Sequence, residues 1–136
     1  MDIMVTFPGG KKVYAEVNEM VIQTDQPRRH GGDDTAPSPF LLFLASIGTC
    51  AGIYVLSFCQ ERNISTDNIS VHQHVDYVVT EDGKSKALSK ITLEINVPPD
   101  FPAKYHNTLI KVAEQCSVKK ALMNPPQFEI KTIVRL

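Results

Sequence analysis

The sequence has almost no net charge. Fourteen Lys and Arg stand against fifteen Asp and Glu in 136 residues, a formal charge of −1. That balance gives no electrostatic footprint for nucleic acid or an anionic membrane surface. Cysteine is scarce too, at three residues. The N-terminus, MDIMVTFPGG, has neither the basic lead nor the apolar core of a signal peptide. Three cysteines without such a signal are expected to be reduced thiols in a cytoplasmic protein, not a disulfide framework. Internal repeats and low-complexity tracts are missing, so one domain over residues 1–136 is the expectation. Hydrophobic content of 43% and charged content of 21% are ordinary for a globular fold.

One stretch lacks charge altogether. From Phe40 to Cys59, twenty residues pass without one Asp, Glu, Lys, Arg or His, inside PSPFLLFLASIGTCAGIYVLSFCQER. Pro37 and Pro39 turn the preceding residues away from helix, and Ser38 suits the cap where a helix begins. Gln60, Glu61, Arg62 and Asn63 return the chain to water. A surface helix shows one apolar stripe, whereas this one is apolar all round and is expected to be surrounded. Its length would also span a bilayer. Ser46, Thr49 and Ser57 place polar groups around it, and Gly48 and Gly52 suit close packing. The flanking strands have apolar faces to cover, which favours a buried core helix and no membrane. A 136-residue chain seldom wraps a helix of about 37 Å on every side, so a homodimer is expected to cover the rest.

The remaining chain reads as strands and short helices. Asp2–Phe7, Lys11–Asn18 and Met20–Thr24 are three strands, followed by a polar loop over Gln26–Thr35. After the long helix, Ile69–Val79 and Leu88–Val97 form a hairpin with apolar side chains at odd positions on both strands. Keeping those sets on one face requires paired residue numbers with an even sum, as a three- or five-residue loop around Asp82-Gly83 provides. Asp100 and Pro102 start a helix with Tyr105, Leu109, Val112, Ala113 and Cys116 inward, and Ser117–Met123 adds another turn or two. Phe128–Val134 alternates as a final strand. The order is an α+β pattern with much antiparallel pairing.

Two cysteines stand out as candidate catalytic residues. Cys50 lies in GTCAG, where small neighbours let another element approach the sulfur, though buried free cysteine is also a common small hydrophobe. Cys59 is nine residues on, about 900° around the helix, so it points the opposite way and reads as packing. Cys116 falls at the break between two helical segments, where unpaired N–H groups favour thiolate. Lys119 and Lys120 follow it. On physics alone, Cys50 and Cys116 form a plausible redox pair.

A proline-containing loop, a long apolar helix with a cysteine among small residues, and a second cysteine opening C-S-V-x-x-A-L resemble the OsmC-like proteins. That family includes organic hydroperoxide resistance proteins and a redox subgroup of less defined function. The resemblance covers nearly the whole chain. It implies an OsmC-like α+β fold of three N-terminal strands, long central buried helix, β-hairpin, one or two helices and final strand. It also implies an intertwined homodimer, thiol peroxidase activity and a part in the oxidative stress response. Carried onto this sequence, Cys50 attacks peroxide and Cys116 resolves the sulfenate as a disulfide.

Two positions depart from the peroxidase branch. Phe40 occupies the place of its glutamate, and residues 11–23 offer Lys11 and Lys12 but no activating arginine. Arg28 and Arg29, in the loop, replace it only by folding back. Without a nearby cation, a buried Cys50 thiol is expected to be raised in pKa and slow to react. The expected function is therefore a cysteine-dependent redox protein acting on organic or hydrogen peroxides. The alternative is a non-catalytic protein that binds a small apolar ligand in the dimer-interface cleft. His72, His74, Asp76 and Glu94 share one hairpin face, which reads as solvated surface with no metal site. No cofactor is expected.

Overall fold

The protein is described here by a computed structural model, which covers residues 1–135. The chain forms two compact units, Met1–Ser46 and a second that begins at Ile47.

In the first unit, β1 (Met4–Gly9), β2 (Lys12–Val17) and β3 (Met20–Thr24) form an antiparallel sheet in sequence order. Asn18 and Glu19, with φ of 49° and 63°, make the two-residue turn that places Val17 opposite Met20. Positive φ at both central positions matches the right-handed twist of the strands it joins. Val5, Ala15 and Ile22 line up across the three strands on one face. After β3 the chain folds around Asp25, which is fully buried. Its carboxylate accepts from Gln26 N at 2.7 Å, Thr35 N at 3.1 Å and Thr35 Oγ1 at 2.6 Å. Gly32 is required in this loop because a Cβ there would collide with the Gln26 carbonyl.

Helix α1 spans Pro39–Glu61, close to the sequence expectation. Ser38 caps it, its Oγ accepting from Leu41 N at 3.2 Å. Asn63, at φ 55°, ends it, with Ile64 N returning to the Cys59 carbonyl at 2.9 Å. This left-handed residue and backward bond satisfy carbonyls that the helix end leaves open. By length and composition α1 could cross a membrane. In the second unit, however, its Val55, Phe58 and Cys59 pack with Phe101 and Leu109 as a core cluster.

The single chain covers only part of α1, in line with the expectation that 136 residues seldom wrap such a helix on every side. Leu41, Ile53 and Tyr54 stay exposed while Leu44, Ile47, Ala51 and Val55 are buried.

The second unit adds the hairpin of β4 (Ser70–Val79) and β5 (Lys86–Asn96), then α2 (His106–Ala113) and α3 (Ser117–Met123). Pairs from Ser70↔Asn96 to Asp76↔Lys90 follow the even-sum register. An irregularity at Asp76/Tyr77 then shifts it to Tyr77↔Leu88 and Val79↔Lys86. The tip is therefore neither of the expected loops. Thr80 N bonds the Ser85 carbonyl at 2.9 Å around residues 81–84, with Gly83 at φ 69°. Gly48 of α1 has a close neighbour on this hairpin, since a Cβ there would lie 2.5 Å from Gln73 Oε1.

The expected final strand at Phe128–Val134 is also corrected. Residues 125–135 form no strand, and Phe128, Ile130 and Val134 are more than four-fifths exposed. A strand needs a ladder partner for its backbone groups, and the described residues of one chain offer it none.

Candidate active site

The site is built where α3 begins. Cys116 is the N-cap residue of α3, its sulfur accepting from Lys119 N at 3.4 Å. The same thiol donates to the Ile47 carbonyl of α1 at 3.9 Å, and the residue is 2% exposed. That contact anchors the start of α3 one turn before Cys50 on α1. Ser117, 67 residues along the chain from Cys50, then brings its Oγ to 3.5 Å from the Cys50 sulfur. Of the small residues around Cys50, Ala51 is buried and Gly48 faces Gln73 of the hairpin, while a Cβ built on Gly52 would meet nothing within 4 Å, so this approach does not depend on Gly52.

These neighbours change the acidity of Cys50. Its thiol is lowered from an ordinary 9.0 to about 7, chiefly by the Ser117 hydroxyl, then by the Val118 N–H and the Cys116 thiol. Hydrogen bonds to sulfur favour the charged form, and partial burial opposes it less strongly. This corrects the expectation of a raised Cys50. The causes are hydrogen-bond donors from a distant part of the chain, with no cation among them. The sequence signal is the Ser-Val that follows Cys116, whose hydroxyl and N–H groups supply these donors.

Both candidate cysteines are thus brought together, each with a free thiol. Cys50 is partly exposed and Cys116 is buried behind it. Cys59 lies elsewhere, fully buried in the core cluster, where burial raises its pKa. Phe40 is half exposed near the start of α1, and Arg28 and Arg29 lie exposed in a short 3-10 helix. On the hairpin, His72 stands 3.9 Å from Glu94 and His74 3.2 Å from Asp76. No group of three or more metal-ligating side chains is assembled among the described residues.

A cavity of about 620 Å³ adjoins Cys116. Its apolar lining includes Ile47 of α1, Leu93 and Ile95 of β5 and Leu109 of α2, with Lys119 of α3 as a charged member. Cys116, and not Cys50, contributes to its wall. The volume lies within the range of small-molecule sites.

Fold and site together define a small α+β protein that joins a long apolar helix to a cysteine-capped short one through two free thiols. The chain belongs to the OsmC-like protein family, which matches residues 31–131. Its fold is similar to an osmotic stress induced and detoxification response protein from Psychrobacter arcticus 273-4. That comparison has a TM-score of 0.69 at 19% identity and covers 88% of this chain and 85% of the other. The organic hydroperoxide resistance protein OhrB of Bacillus subtilis has a TM-score of 0.56 at 22% identity, covering 92% and 93%. A third relative, an organic hydroperoxide resistance protein from Vibrio cholerae O1 biovar eltor, has captopril bound in one of its active sites. It has a TM-score of 0.58 at 21% identity, covering 92% and 86%. No curated protein sequence matches the chain.

Proposed function

We propose that this protein is a cysteine-dependent redox protein that reduces organic or hydrogen peroxides as part of an oxidative stress response. The observation that carries the reading is the approach of α3 to Cys50, which surrounds a partly exposed sulfur with hydrogen-bond donors next to a second thiol. Membership of the OsmC-like family and fold neighbours that are organic hydroperoxide resistance proteins support it.

In this reading the Cys50 thiolate attacks the terminal oxygen of a hydroperoxide. The S–O bond forms, the O–O bond breaks, and the departing alkoxide takes a proton from water to leave as the alcohol. The Cys116 sulfur then attacks the Cys50 sulfenic acid. The S–S bond forms, and hydroxide leaves as water with the Cys116 proton. Two thiols thereby supply two electrons to one peroxide, and an external thiol reductant restores both. The cavity beside Cys116 would take the organic part of the substrate.

The working unit is proposed to be a soluble cytoplasmic homodimer, each chain acting as one OsmC-like domain over residues 1–136. The exposed apolar faces of the N-terminal sheet, of α1 and of residues 128–134 favour a second copy.

The test is peroxide consumption by the wild type, Cys50→Ser and Cys116→Ser. Wild-type consumption should rise about tenfold between pH 6 and pH 8, as a thiol with a pKa of about 7 ionises. Cys50→Ser should be inactive, and Cys116→Ser should stop after one equivalent as a sulfenic acid. Full turnover by Cys50→Ser would overturn the assignment.

A further inference from the structure

We propose that Ser117 is a positioning residue for Cys50, its hydroxyl donating to the sulfur and holding it as a thiolate facing solvent. The inference rests on reading Cys50 as the attacking thiol. It goes beyond that reading by assigning the activating role to a serine in place of an acid or a cation.

The geometry carries the argument. Ser117 Oγ is 3.5 Å from the Cys50 sulfur, within hydrogen-bond range for sulfur. Ser117 is itself exposed, so burial does not force its hydroxyl to find a protein partner. The Cys116 thiol also acts on Cys50, but it has a single proton, which lies toward the Ile47 carbonyl, while its sulfur accepts from Lys119 N. Once Cys50 is ionised it has no proton, so Ser117 must be the donor. A charge-assisted bond is about twice as strong as the neutral one, and that difference favours the thiolate. The Val118 N–H adds to this effect and would remain when the serine is changed.

The surrounding charges leave room for such a role. Helix α1 has no charged residue between Phe40 and Cys59. The cavity residues of β5 are Ile91, Leu93 and Ile95. Besides Cys116, the ionisable residues lining the adjoining cavity are Lys119 of α3 and, from α2 and its end, His106 and Glu114. Lys120 is bonded to Gln115 at 2.9 Å.

The experiment uses the full chain with Ser117 retained, changed to Ala or changed to Thr. Cys50 is alkylated with iodoacetamide from pH 5 to pH 10, and its modification is followed by peptide mass spectrometry. Ser117→Ala should move the midpoint up by about one pH unit, cutting the rate near pH 6 about tenfold. Ser117→Thr, which keeps a hydroxyl, should stay close to the wild type, and all three should converge at high pH. An unmoved midpoint in Ser117→Ala would overturn the proposal, including the case in which only its melting temperature falls. Alkylation needs no peroxide, so a shifted midpoint without peroxide consumption would uphold the Ser117 contact and sink the peroxidase reading.

Discussion

Asp25 is the residue on which the loop before α1 depends. Its carboxyl is held down to about 2, from an ordinary 3.8, first by the Thr35 hydroxyl and then by backbone N–H donors. Because the folded value is depressed, its stabilising effect is fully present above the unfolded pKa and is lost as pH falls through about 2. Asp25→Asn keeps the shape but has one acceptor oxygen, so it should melt lower than wild type at pH 7. The two should converge near pH 2, as thermal scans across pH would show, and an equal gap at both pH values would contradict this. Neither Asp25 nor Ser117 stood out in the sequence, because each acts on groups that only folding brings near. Cys50 and Cys116 did stand out, from the small flanks of one and the helix break before the other. The sign of the Cys50 shift was not legible: its donors come from residues 116–118, far along the chain.

Among the elements, α1 was the most legible, since an uncharged run with a serine cap and polar exit leaves little choice of boundary. The lower hairpin followed from alternation, but its tip did not. Alternation fixes which face is apolar and says nothing about where an extra residue enters a strand. Phe128–Val134 has the pattern of a strand and no ladder among the described residues, and in the proposed homodimer a second copy would supply one. Ile53 and Tyr54 on α1 and Val5, Met20 and Ile22 on the sheet raise the same point. Static light scattering at micromolar concentration should therefore give about twice the chain mass of 15.1 kDa. A mass of one chain would refute the dimer.

For the molecule as a whole, near-neutral charge and an apolar cavity beside Cys116 suit a small uncharged organic substrate better than a polyanion. The third cysteine provides an internal control, because Cys59 is buried in the core cluster with its pKa raised. Disulfide mapping decides whether Cys50 and Cys116 form one redox pair. Reduced protein is treated with one equivalent of an organic hydroperoxide, the remaining thiols are blocked, and the peptides are mapped by mass spectrometry. The map should show a Cys50–Cys116 disulfide within one chain and a Cys59 that is still a free thiol. Peroxide-treated protein in which Cys50 and Cys116 both remain free thiols would contradict it.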